Sequence, residues 1–136
     1  LNPFHLAIPV SNLEESVAYY RDTLGLREGR SSKKWADFDF FGHQLVCHVS
    51  DSINEQVTNP VDGEEVPIPH FGVVLSIEEF EEFLLQINDK NIDFIIKPII
   101  RFKGEIGEQR TMFFKDPSGN AIEIKAFKDM SNLFSS

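Results

Sequence analysis

Cysteine occurs once, at Cys47, so no disulfide can form within the chain and a cluster of thiolate metal ligands is excluded. Cationic residues are sparse: 13 Lys and Arg stand against 22 Asp and Glu, a formal net charge of -9. That balance argues against nucleic acid as a partner, because phosphate binding needs a basic face. Tyrosine appears only at Tyr19 and Tyr20. No apolar run approaches the ~20 residues of a membrane span, and no basic-then-apolar leader opens the chain. The expectation is a cytoplasmic protein in a reducing setting, with neither membrane nor nucleic acid as partner. What is present is an ordinary globular mixture, 41% hydrophobic and 26% charged over 136 residues, enough for a single domain with a real core.

The most informative stretch runs from Arg110 to Phe127, RTMFFKDPSGNAIEIKAF. Two β-branched and aromatic runs flank Asp116-Pro117-Ser118-Gly119-Asn120, a cluster of turn formers, which predicts a β-hairpin. Side chains alternate along a strand, so Ile122, Ile124 and Ala126 share one face while Ala121, Glu123 and Lys125 share the other. Glu123 is thus a carboxylate inside an apolar strand, costly to bury unless paired, protonated or bound to a cation.

The rest of the chain supplies two similar modules. Residues 3–10 read as an edge strand containing Pro9. Ser11-Asn12-Leu13-Glu14 has capping-box spacing and predicts a helix from Ser11, with Leu13, Val17, Tyr20 and Leu24 as its apolar stripe and Gly25 closing it. A short strand at Arg27 to Arg30 and a hairpin of Trp35 to Phe40 with Gln44 to Val49 follow. Residues 51–66, rich in Asp, Asn, Pro, Gly and Glu, read as a linker. The order then restarts: a strand from His70, a capping box at Ser76 to Glu79, a helix with Ile77, Phe80, Leu84 and Ile87 inward, a strand from Asp93 stopped at Pro98, and the final hairpin. His5 and His70, Ser11 and Ser76, and Glu14 and Glu79 are all 65 apart, so the halves read as copies of one βαβββ unit. One domain spanning 1–136 is expected: module one at about 3–50, the linker at about 51–66, module two at about 67–127, and a tail at 128–136 that docks as a short helix or frays. The fold class is α+β, an open cup-shaped mixed sheet with helices on its outer face.

By parity His5 and His70 point away from the helices, beside the small residues Ala7, Gly72 and Ala121. If the halves close one curved sheet, His5, His70 and Glu123 converge on its concave side. Two imidazoles and one carboxylate form the facial set suited to Fe(II), with Mn, Ni, Zn or Co also possible. A cation would also answer the cost of burying Glu123.

The duplication, the paired histidines and the Asp116 to Asn120 turn leading into Glu123 resemble the vicinal oxygen chelate superfamily over residues 3–127. That superfamily includes glyoxalase I, extradiol dioxygenases, fosfomycin-resistance enzymes and bleomycin-binding proteins. The resemblance implies a cup around a divalent metal, direct chelation of a small oxygenated substrate, and often a homodimer. Glyoxalase I carries a second glutamate where this chain has Val46, and His48 lies two residues beyond it as a candidate base or fourth ligand. Extradiol dioxygenases place a tyrosine near the metal in the second module, where this chain has none. The ligand set leads to a dioxygenase-like metalloenzyme, with a glyoxalase-like lyase or isomerase and a metal-free binding protein as alternatives. Gln44, Phe40, Arg101 and Arg110 are the candidate substrate-binding residues.

Overall fold

The computed structural model describes residues 1–52, 57–61 and 63–135. The elements in order are β1 (His5–Val10), α1 (Leu13–Ala18), a π-helical turn (Tyr19–Thr23), β2 (Arg27–Ser31), β3 (Trp35–Phe40), β4 (His43–Val49), β5 (Val57–Val61), β6 (Glu64–Ile68), β7 (His70–Leu75), α2 (Ile77–Ile87), β8 (Asp93–Arg101), β9 (Gln109–Lys115), β10 (Ala121–Phe127) and a 3-10 turn (Met130–Asn132). They form two compact units, Leu1–Gln56 with Asp116–Asn120, and Val57–Lys115 with Ala121–Ser136. Each contains a four-stranded mixed sheet of the same design, ordered β1-β4-β3-β2 in the first and β7-β10-β9-β8 in the second. In both, the first strand lies parallel to the last, and the remaining pairs are antiparallel. The α+β class and the repeat are therefore as the sequence predicts. No described helix is long and apolar enough to cross a membrane.

In the first unit Val10, Phe38, Leu45 and Cys47 are buried with Tyr20 and Leu24 of the helical segment. Cys47 is fully buried, and burial, with Asp116 adding to it, pushes its thiol up to about 12. In the second unit Met112, Phe114, Ile122 and Ile124 form the helix-facing core with Phe80, Phe83 and Ile87 of α2, and Phe83 stacks on Phe114 at 6.4 Å.

The predicted turn at Asp116 carries more than a change of direction. Asp116 is 4% exposed. Its carboxylate accepts from the Tyr20 hydroxyl at 2.7 Å, from the Ser118 and Asn120 amides at 2.9 and 2.8 Å, and from the Asn120 side chain at 2.9 Å. The Asn120 amide also donates to the Pro9 carbonyl at 2.8 Å. Burial, then the neighbouring Asp116 charge, holds the Tyr20 phenol well above its ordinary range.

Three sequence expectations are corrected. The first helix is capped by Asn12, whose side chain accepts from the Glu15 amide at 2.9 Å, and not by Ser11, whose own amide donates to Ser118 Oγ at 2.9 Å. At Ser76 the expected reciprocal box with Glu79 is present. Residues 57–61 and 64–68, read as linker, pair as the β5–β6 hairpin; residues 53–56 and 62 of that stretch lie outside the described residues. Finally, β8 runs through Pro98 to Arg101, because β8 is an edge strand and Pro98 falls in a register shift between Ile96 and Ile99, where no ladder donor is needed. Among its described residues the tail forms a 3-10 turn at Met130–Asn132.

Candidate functional site

Glu123 lies in β10 between β7 and β9, level with Gly72 on one side and Phe113 on the other. Glycine at position 72 follows from that pairing, since a Cβ there would run into the Glu123 carbonyl. His70 sits on the same face two residues along, level with Ala121. Its Nε2 is 3.4 Å from Glu123 Oε1, and its Nδ1 donates to the Pro67 carbonyl at 2.7 Å. The ring stands edge-on to Phe113, centroids 5.0 Å apart. Thr111 Oγ1 donates to the second carboxylate oxygen, Oε2, at 2.5 Å. Lys125 Nζ lies 3.9 Å from Oε1. Together His70, Gly72, Val74, Glu123 and Lys125 line a cavity of about 260 Å³.

The electrostatics follow from those contacts. Burial pushes the Glu123 carboxyl up, but the hydrogen bonds from His70 and Thr111 outweigh it and hold the group below its ordinary 4.5. The Glu123 contact raises His70 above its ordinary 6.5; burial opposes the rise and the Pro67 carbonyl reinforces it. A raised histidine stabilises the fold below 6.5 and loses that contribution as pH climbs through its folded value; a lowered glutamate stabilises above 4.5 and loses it as pH falls through its folded value. In metal-free protein, the unfolding free energy of wild type over Glu123→Gln is thus expected to peak between about pH 4.5 and 6.5, by on the order of 1 kcal/mol, and to shrink as pH climbs above 6.5 through the raised His70 value. Urea unfolding in a chelator across that range checks it.

The first unit repeats the backbone plan with different side chains. His5 is level with Gln44 and Ala7 with Val46, as His70 is with Ala121 and Gly72 with Glu123, so Val46 occupies the place of Glu123. His5 Nδ1 lies 2.6 Å from Gln44 Oε1, and Gln44 Nε2 donates to Asp37 Oδ2 at 3.1 Å. Among the described residues no three His, Cys, Asp or Glu side chains come together as a metal-holding group. The second unit brings together two of the three predicted ligands, His70 and Glu123.

The other predicted residues divide by sheet face. His48 shares the His5 face but is level with Pro9, four residues from the His5–Gln44 pair, or ~13 Å along the strand. That distance removes it as a base or fourth ligand for an ion held by His5. Phe40 is corrected to a core residue: it is 5% exposed and packs edge-on against Phe41 at 5.0 Å. Arg110 is corrected likewise, because it is level with Ala126 on the helix side and ion-paired to Glu81 of α2. Arg101 is level with Gln109, itself level with Phe127, so it does share the Glu123 face, about 13 Å further along the strands. Gln44 has both ends of its amide engaged and so acts on His5 before any substrate. Sequence reasoning missed Thr111, the Pro67 carbonyl and Asp37. The first lies on the Glu123 face by strand parity and was detectable; the second comes from a hairpin read as linker.

Comparison with known proteins gives this geometry a family. The model of the Glyoxalase/Bleomycin resistance protein/Dioxygenase superfamily matches residues 3–124. A crystal structure of a glyoxalase/bleomycin resistance protein/dioxygenase from Alicyclobacillus acidocaldarius is 33% identical, covers 98% of this chain and 96% of its own, and superimposes with a TM-score of 0.82. Metallothiol transferase FosB of Staphylococcus saprophyticus is 26% identical over 120 residues, 88% of this chain and 73% of that protein. A mutant of the fosfomycin resistance protein FosX from Listeria monocytogenes, solved with Mn(II) and 1S,2S-dihydroxypropylphosphonic acid, shares the fold at 20% identity and a TM-score of 0.66, covering 96% of this chain and 92% of that one. With a family model spanning nearly the whole sequence and a duplicated βαβββ plan beneath it, the chain belongs to the glyoxalase/bleomycin resistance protein/dioxygenase superfamily.

Proposed function

We propose that the protein is a divalent-metal-dependent enzyme that activates a small, oxygenated, anionic substrate for attack by a thiol. The observation that carries the reading is the His70–Glu123 pair: a neutral-capable imidazole whose Nδ1 is tied to Pro67, with Nε2 turned toward a half-buried carboxylate. That donor chemistry fits a hard or borderline divalent cation. His70 Nε2 and Glu123 Oε1 would hold the ion, and His5 would be its third ligand. When bound, the ion acts as a Lewis acid, polarising substrate oxygen.

The chain's own groups do the rest. Thr111 holds Glu123 Oε2 by its hydroxyl, leaving Oε1 for the ion. Lys125, on the same face, offers an ammonium to an anionic substrate group once the cation replaces it as the partner of Glu123. Phe113, edge-on to His70 at 5.0 Å, covers one side of that ring. Thiol transfer is preferred to oxygen chemistry because Tyr19 and Tyr20 are both buried in the first unit, 9% and 0% exposed, so neither offers an exposed hydroxyl for substrate. The kinship with FosB, named a metallothiol transferase, supports the same choice, and the Mn(II) in the FosX structure supports the divalent ion.

The test incubates the purified protein, loaded in turn with Mn(II), Fe(II), Ni(II), Zn(II) or Co(II), with fosfomycin and a low-molecular-weight thiol, and in parallel with catechols under an oxygen electrode and with hemithioacetals. Metal-dependent thiol consumption that Glu123→Gln abolishes is expected. Oxygen uptake on a catechol without thiol consumption contradicts the reading.

A further inference from the structure

We infer that Gln44 and Asp37 are positioning residues that lock the His5 ring with its Nδ1 protonated and its Nε2 lone pair presented to a metal. The inference rests on the metal reading above for its purpose, though not for its geometry. A carboxylate can only accept, so the 3.1 Å contact from Gln44 Nε2 to Asp37 Oδ2 fixes which way the Gln44 amide faces. Its oxygen is then the atom 2.6 Å from His5 Nδ1, and an amide oxygen also only accepts. The proton must therefore lie on His5 Nδ1, which leaves Nε2 as the ring's lone pair.

Three strands build the relay. His5 on β1 is level with Gln44 on β4, and Asp37 on β3 is level with Val46, one step diagonal from Gln44 on the same face. The carboxylate directly level with Gln44, Asp39, is engaged by the Gly42 amide at 2.7 Å and by Arg27 at 3.2 Å, so Asp37 is the one that orients the amide. The second unit reaches the same end by another route. There the residue level with His70 is Ala121, which has no acceptor, and the Pro67 carbonyl takes the Nδ1 proton at 2.7 Å instead. Both candidate ligand histidines thus have Nδ1 committed to an oxygen acceptor, although the supporting groups differ; Nε2 is left over at His5 and faces Glu123 Oε1 at His70. An outer partner of this kind fixes tautomer and ring direction, and its loss typically lowers metal affinity about 10–100-fold.

The test has a metal-free arm and a metal arm. Long-range ¹⁵N–¹H NMR of the metal-free, full-length protein should show the neutral His5 ring protonated at Nδ1, whereas neutral histidine in water prefers Nε2. Gln44→Leu, which keeps the bulk and removes the acceptor, should return it to the Nε2 form. In the metal arm, Mn(II) alone is titrated and bound ion followed by its EPR signal. Gln44→Leu should weaken binding about 10–100-fold. The double variant Asp37→Asn/Gln44→Glu restores an acceptor at His5 and reverses the second hydrogen bond, so it should recover near wild-type affinity. Circular dichroism and urea midpoints confirm that the variants fold. An Nε2-protonated His5 in wild type, or a Gln44→Leu affinity equal to wild type while His5→Ala loses the ion, overturns the relay alone. Unchanged Mn(II) affinity in His5→Ala and His70→Ala with an Nδ1-protonated His5 overturns the metal reading and the relay's purpose, leaving its geometry standing.

Discussion

Asp116→Ala is expected to lower the unfolding free energy by about 4 kcal/mol and the melting temperature by roughly 10 °C. One buried carboxylate receives four donors, and deletion strands the Tyr20 hydroxyl and the amides of the turn at once. Each stranded buried donor costs about 1–3 kcal/mol, and the sum is less than additive because the turn can relax toward water. Tyr20→Phe removes only one of the four bonds and takes its donor with it, so a loss of about 1 kcal/mol is expected there. Chemical unfolding of the two variants measures the contrast. Equal, small losses would mean that Asp116 is not the centre of this network.

Gly72→Ala is expected to be of similar size and to damage the site as well as the fold. The added methyl would occupy the Glu123 carbonyl, backbone against backbone, so β7 and β10 must part or slip where they carry His70 and Glu123. A cost of about 3 kcal/mol or more follows, as for other overpacked positions with no side chain free to yield. Mn(II) affinity should fall with it, because the two donors no longer keep their 3.4 Å spacing. Ala7, the matching residue of the first unit, already carries a Cβ, so Ala7→Gly should change stability by no more than about 1 kcal/mol. Gly72→Ala with wild-type stability and affinity would show that the strand pair can accommodate the methyl.

Much of this arrangement was legible in the amino acids because it depends on alternation. Strand parity placed His70, Gly72, Glu123 and Lys125 on one face, and the register bears this out. The 65-residue offset between His5 and His70 likewise marks equivalent positions in two sheets of one design. The same alternation in β3 and β9 puts Phe40 and Arg110 on the helix side, away from the site. Other features were not legible because they depend on contacts distant in sequence. Composition alone could not tell a solvated linker from the β5–β6 hairpin, whose Pro67 carbonyl fixes His70 and whose Val66 packs with Ile96 and Phe113. Nor could it choose between Ser11 and Asn12 as cap, since the choice turned on Ser118, more than a hundred residues away. Pro98 read as a stop because the edge position and bulge of β8 are properties of the sheet.

The central claim is that His70 and Glu123 hold a divalent ion, and an equilibrium titration with Mn(II) tests it most directly. Wild type is predicted to bind one ion per chain, and Glu123→Gln and His70→Ala each to lose that binding while remaining folded. Stoichiometric Mn(II) binding that survives both substitutions would contradict it.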